Sequence, residues 1–224
     1  MSQQALAVPP LVSGERLSRA EFERRYEAMP DARAELVEGV VYMCSPTKDR
    51  HAAAHILLAG WVLTYASRTP GALARDNLSY RLDEHNELQP DLVLMLSPAC
   101  GGQARIDAEG FLVGAPELVI EVAVATVARD LGIKFELYQR VGVREYLVWD
   151  AEAQQVHWWA LKGKAYCPLV PDRARVWRSQ VFPGLWLDEP ALARQDPAAV
   201  LARLDEGTRS PEHATFKAAL GQRF

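Results

Sequence analysis

Two apolar segments, each carrying one acid, constrain this chain more than anything else in it. Asp91 opens Asp91-Leu92-Val93-Leu94-Met95-Leu96 directly after Pro90, and Glu121 lies inside Leu118-Val119-Ile120-Glu121-Val122-Ala123-Val124. Segments that are apolar on both faces read as interior strands of a sheet covered on both sides. A carboxylate in such a strand is costly unless a cationic partner meets it. The stretch that follows, residues 129–141, has a helical period. Arg129, Gly132, Glu136, Gln139 and Arg140 fall on a polar arc, and Leu131, Phe135, Leu137, Tyr138 and Val141 on an apolar one. Lys134 sits in the middle of the apolar arc, with Asp130 near its edge. Two strand acids and a sheet-facing lysine are the raw materials of a divalent-metal site with a charged helper.

Each of these residues also has a plainer reading. Pro-Asp at a strand start is ordinary turn chemistry. Lys134 can snorkel, or pair with Asp130 four residues earlier for a few tenths of a kcal/mol. Glu121 is harder to explain away, because alternation puts it on one face with Val119, Ala123 and Ala125, whose small alanines leave room around a carboxylate. The three in the order strand, strand, helix are more specific than any one of them.

The 224 residues, 49% hydrophobic and 24% charged, suit a soluble globular protein with one main domain. We expect a lead-in over 1–16, the main domain over 17–189 and a helical extension over 190–224. The apolar run 52–62, which contains His55, is too short to span a bilayer, and the N-terminus shows no secretion signal. Cys44, Cys100 and Cys167 are odd in number and widely spaced, unlike a zinc site or a disulfide framework, which predicts a reducing, cytoplasmic setting. A net charge of -4 and a pI near 5.8 give no global attraction for nucleic acid, so such binding has to rest on local patches. Lys48, Arg50, Arg68 and Arg75 are candidates, although exposed basic residues are usually just solvated.

In chain order, Ser18 and Glu21 have capping-box spacing, predicting a helix over 19–29 that stops at Pro30. Residues 35–43 predict a hairpin or bulged strand around Gly39. A long helix is expected over 49–68, a strand over 73–82, and a turn at 83–86 leading into the Asp91 strand. Residues 97–114 read as a loop, a candidate flap. After the Lys134 helix an antiparallel meander is expected over 145–168, with Trp149, Trp158 and Trp159 read as sheet packing rather than a base-stacking platform. A last extended segment over 177–187 and helices from Pro190 and Pro211 complete the chain.

Pro90-Asp91, Glu121-Val122, then Asp130, Lys134 and Tyr138, then the run from Gly142 to Asp150 resemble the Uma-type family of endonucleases within the PD-(D/E)XK restriction-endonuclease-like superfamily. Glu35-Leu36-Val37-Glu38-Gly39, Ser45-Pro46 and His51 resemble the family's N-terminal half, and the likeness spans roughly 17–161. It implies an α/β fold: a restriction-endonuclease-like mixed β-sheet flanked by helices, here followed by the meander and C-terminal helices. It also implies that Asp91 and Glu121 bind Mg²⁺, with Mn²⁺ able to substitute and the Val122 carbonyl as a further ligand. The superfamily's usual lysine, two residues after the second acid, is Ala123 here, and Lys134 resembles the family's relocated lysine. Val124 stands where the family often has a serine. Glu35 resembles an acid contributed from the first helix-to-strand region.

The resulting expectation is a Mg²⁺-dependent endonuclease acting on nucleic acid, DNA in the first instance, with catalytic residues Asp91, Glu121, Lys134 and Glu35. No membrane partner is expected, and a homodimer would suit double-strand cleavage. The rival readings are an inactive nuclease-fold scaffold and a hydrolase of small phosphate esters.

Overall fold

The computed structural model describes residues 8–44 and 48–222. Along the chain run α1 (Arg19–Tyr26), β1 (Ala34–Val37), β2 (Val40–Met43), α2 (Asp49–Arg68), β3 (Ala72–Asp76), β4 (Tyr80–Asp83), β5 (Asn86–Leu88) and β6 (Leu92–Leu96). A short hairpin follows, β7 (Arg105–Ile106) and β8 (Leu112–Val113), then β9 (Leu118–Ala123), α3 (Val127–Arg129), a π-helical turn (Asp130–Lys134) and α4 (Phe135–Val141). The chain ends with β10 (Glu145–Asp150), β11 (Gln155–Lys162), β12 (Ala165–Pro168), β13 (Val176–Arg178), β14 (Trp186–Asp188), α5 (Glu189–Ala193), α6 (Pro197–Thr208) and α7 (Pro211–Gly221).

The chain divides into two compact units. The smaller holds the described residues up to Cys44 together with Ser79–Gln89. Ser18 caps α1 by accepting the Glu21 N–H, as the sequence spacing predicts. The helix ends at Tyr26, a turn before Pro30. β1 and β2 form a hairpin whose two central residues, Glu38 and Gly39, both have positive φ, the conformation that matches the twist of a two-residue hairpin. Leu11, Phe22, Ala34, Leu36 and Val41 pack as its core. The expected single strand over 73–82 is two strands, broken at Asn77 (φ 49°), and β5 stands in the turn expected before Asp91.

The larger unit is built on a mixed six-stranded sheet in the order β12-β11-β10-β9-β6-β3. Only β9 and β10 run parallel, joined through the helical stretch 127–141 as a βαβ crossover; the other neighbours are antiparallel. Alternation decides what each face meets. Leu92, Leu94, Leu118, Ile120, Val122, Leu147 and Trp149 share a core with Leu57, Leu58, Trp61, Val62 and Tyr65 of α2. The intervening residues of β9 and β10 face α4, where the Tyr138 and Tyr146 rings lie 5.0 Å apart. Burial on both faces is why these strands read as continuous apolar runs. The meander is as expected, and Trp149 and Trp158 are buried in it.

The C-terminal elements belong to the same core. Trp61 Nε1 donates to the Trp186 carbonyl and the Tyr65 hydroxyl to that of Pro183, both at 2.9 Å. Leu192, Val200, Leu204 and Leu220 are buried with α2. β13 and β14 pair as a hairpin around Pro183-Gly184, and α5 and α6 replace the single helix expected from Pro190, each capped by an aspartate, Asp188 and Asp196. Among the described residues no helix is long and apolar enough to cross a membrane.

Candidate active site

Glu121 stands in the middle of β9, opposite Val148 of β10, with its side chain on the α4 face and only 5% exposed. The cation that such a carboxylate requires is Lys134, whose Nζ donates to Glu121 Oε1 at 2.9 Å. The Tyr138 hydroxyl donates to the same oxygen at 2.9 Å. Lys134 and Tyr138 are four residues apart, one turn of helix, and so reach one point. Lys134 Nζ also lies 3.7 Å from Asp130 Oδ1, so the expected pair with Asp130 forms, with Glu121 the nearer partner. Asp130 is held in turn: Thr126 donates its hydroxyl to the carboxylate and Tyr146 donates to the Asp130 carbonyl at 3.0 Å. The π turn between Asp130 and Lys134 sets the angle at which these groups converge, a common use of such turns.

Asp91 is placed differently. Pro90 has no N–H and ends the ladder, so Leu92–Ile120 is the last pair between β6 and β9. The Val122 N–H beyond it donates to Asp91 Oδ2 at 2.7 Å. The other oxygen of Asp91 faces α2, with His51 Nε2 at 3.3 Å and His55 Nδ1 at 3.5 Å. These histidines are one turn apart, with rings stacked at 5.6 Å. His55 Nε2 meets Asp76 Oδ1 at 2.6 Å. Burial pushes the Asp91 carboxyl up, but the contacts from His51, His55 and the Val122 N–H outweigh it and hold the group well below the usual carboxylate range. Asp91, and after it Asp76, push His55 up against the opposing effect of burial. One ligand atom each from His51, His55 and Asp91 lie within 4.8 Å of one another, a cluster that can hold a metal ion.

The structure therefore brings Glu121 and Lys134 into direct contact, and places Asp91 just before β6, the strand beside that of Glu121, where it accepts from the N–H of the next residue, Val122. Glu35 belongs to the smaller unit, buried in β1, where its Oε1 accepts the Gln89 N–H at 2.9 Å. Val124, in place of the serine, packs against the larger core. Of the basic candidates, Arg68 is drawn into a pair with Asp205 and a contact with Thr208, while Arg50 stays exposed, 3.8 Å from Glu152. Ser45-Pro46 lies outside the described residues. His55 and Asp76 have no part in the sequence reading of the site, and His51 enters it only through the resemblance. The available signal was His-x-x-x-His on one face of a helix otherwise read for its apolar period.

A mixed sheet with a βαβ crossover between β9 and β10, flanked by helices, is the α/β architecture expected from the sequence, with one acid inside β9, one just before β6 and a lysine on the crossover. Residues 19–190 match the Uma2 family, described as "Putative restriction endonuclease", and the chain belongs to that family. A solved structure described as "a putative nuclease belonging to DUF820" from Anabaena variabilis ATCC 29413 is similar in fold. It shares 14% identity at a TM-score of 0.59, covering 77% of this chain and 97% of that one. No significant match is found among curated proteins.

Proposed function

We propose that this chain is a metal-dependent endonuclease that hydrolyses phosphodiester bonds in DNA. The observation that carries this reading is the buried Lys134–Glu121 contact at 2.9 Å beside the strand that bears Asp91. Charged groups converging at a buried sheet end are characteristic of catalytic sites. Asp91, Glu121 and the Val122 carbonyl would hold the cation, Mg²⁺ with Mn²⁺ as a substitute. Three oxygen donors, two of them carboxylates, suit such a dication. When bound, the cation supplies positive charge that polarises the scissile phosphate and an attacking water.

The protein's own groups do the rest. Lys134 offsets negative charge developing on the phosphate and orients the attacking water, while Tyr138 fixes the Glu121 carboxylate so that Lys134 does not have to reorganise. Burial strengthens both effects by excluding bulk solvent. Exposed basic residues such as Arg50 and Lys48 would contact the DNA backbone.

Supercoiled plasmid and single-stranded DNA incubated with Mg²⁺ or Mn²⁺ test the reading. Nicked or linear product from wild type, lost in Asp91→Asn, is the expected result. A folded wild type that leaves both substrates intact with either ion, or an Asp91→Asn protein that cuts at the wild-type rate, overturns it. The scaffold reading rests on the same Lys134–Glu121 pair acting as a structural ion pair, and it gains if that first outcome is seen.

A further inference from the structure

The contacts around Asp91 differ from those around Glu121. Glu121 meets a lysine and a tyrosine, both of which donate hydrogens to it. Asp91 meets two imidazole nitrogens, one of which is held in a defined state by a third residue. A carboxylate has no hydrogen to give, so the 2.6 Å contact with Asp76 puts a hydrogen on His55 Nε2. In the neutral ring His55 Nδ1 then carries a lone pair, and that nitrogen faces Asp91 Oδ1 at 3.5 Å. Among the described residues it has no hydrogen-bond partner, although it is buried. A lone pair aimed at a carboxylate is unfavourable, and either a proton on the ring or a metal ion between the two groups relieves it. The spacing agrees. Two donors held about 2.1 Å from one ion at a tetrahedral angle stand about 3.4 Å apart, and the two histidine nitrogens lie 3.3 and 3.5 Å from Asp91 Oδ1.

We propose that His51, His55 and Asp91 form a nitrogen-bearing metal site that takes a transition-metal dication such as Mn²⁺, Co²⁺ or Zn²⁺ in preference to Mg²⁺. Asp76 is the outer carboxylate that orients His55. Imidazole nitrogens suit first-row transition metals, whereas Mg²⁺ favours oxygen donors and keeps its waters. A histidine ligand whose other nitrogen hydrogen-bonds a carboxylate is a recurring feature of built metal sites. His51 and His55 lie on adjacent turns of one rigid helix, α2, so both nitrogens are positioned before any ion arrives. This inference deepens the metal dependence proposed above and shares Asp91 with it.

The test is metal binding by the full chain, followed by calorimetry for Mn²⁺ and Mg²⁺ and by the visible absorption of Co²⁺, which reports nitrogen ligation directly. Wild type should bind Co²⁺ and Mn²⁺ at least about tenfold more tightly than Mg²⁺. Asp76→Asn should weaken Co²⁺ binding by about 10–100-fold, the usual cost of losing an outer partner, while leaving Mg²⁺ binding unchanged. His55→Gln should weaken it further and shift the Co²⁺ spectrum; His51→Gln serves as the second variant if His55→Gln does not fold. Equal affinity for Mg²⁺ and Mn²⁺ in wild type, or unchanged Co²⁺ binding and spectrum in Asp76→Asn and the histidine variants, overturns the site. Cleavage assayed in parallel separates the two readings. Mg²⁺-supported cleavage with Co²⁺ binding indifferent to the histidines removes this site and leaves the nuclease. Histidine-dependent Co²⁺ binding without cleavage in any ion does the reverse.

Discussion

Lys134→Met removes a charge while keeping a side chain of similar length, and the structure sets what that should cost. At 2.9 Å, with an effective dielectric of about 20, the attraction between Lys134 Nζ and Glu121 is about 6 kcal/mol before desolvation is counted. Both side chains are at least 95% buried, so solvent cannot replace the lost partner. Breaking a buried pair from one side costs about 3–5 kcal/mol. The Tyr138 hydroxyl keeps its bond to Glu121, which places the expected loss near the low end, about 3 kcal/mol. For a chain of this size that is a fall in melting temperature of roughly 6–12 °C. The burial thus makes Lys134 a stabilising residue, whatever its part in the proposed catalysis, more so than its position on a helix face would indicate. Differential scanning fluorimetry of metal-free protein measures the fall, and Glu121→Gln/Lys134→Met should recover part of it, because the Glu121 charge goes with its partner while the Asp130 charge stays. Single-turnover DNA cleavage by Lys134→Met should drop by about 10²–10³. A variant that melts within about 2 °C of wild type, or a double variant less stable than the single one, refutes the electrostatic account. Wild-type cleavage by Lys134→Met refutes the catalytic one.

Three further outcomes follow from other contacts. Asp91→Ala strands the Val122 N–H and should cost about 1–3 kcal/mol in a denaturant titration, whereas Asp91→Asn keeps an acceptor there and should cost less, while losing metal binding. Burial, together with the adjacent Glu23 carboxyl, pushes Glu87 up to about 8 from a starting value of 4.5. The folded state then holds a proton that the unfolded chain gives up above pH 4.5, so this contribution is complete below pH 4.5 and is lost as pH rises through about 8. The loss is on the order of 5 kcal/mol, and a series of melts against pH should show it in wild type and not in Glu87→Gln. Gly207→Ala would put its Cβ 2.2 Å from the Gly184 carbonyl, backbone that cannot swing aside, so it should destabilise α6 by about 1–3 kcal/mol or more, read as a lower denaturation midpoint.

The central sheet was legible because β6 and β9 are buried on both faces, and double burial leaves an unbroken apolar run in which an acid stands out. Lys134 was legible for the matching reason on a helix: a charge in an apolar arc has to meet something. The histidines were not, because each on its own is an ordinary, partly buried helical residue, and nothing local says that the bend at Pro90 turns Asp91 toward α2. Asp76 was hidden further still. Its importance depends on β3 ending beside β6, a pairing fixed by Ala72↔Leu96 through Asp76↔Leu92, and on Asn77 turning the chain away just after it. The partner of Arg68 was hidden in the same way: α6, more than a hundred residues later, supplies Asp205.

The π turn between Asp130 and Lys134 makes the cluster depend on chain length. An α-helix advances about 100° per residue, and a π turn is in effect one residue more than the α-helical path needs. Deleting a single residue from 131–133 would let the segment wind as ordinary α-helix, carrying Thr126 and Asp130 about a quarter turn around the axis relative to Lys134 and Tyr138. Every side chain of the cluster would still be present and both flanking elements could still form, yet Asp130 would leave Lys134 and the Tyr146 hydroxyl would lose its acceptor. The constellation is thus specified by a count of residues as well as by their kinds, and a one-residue deletion here is expected to do more harm than most substitutions.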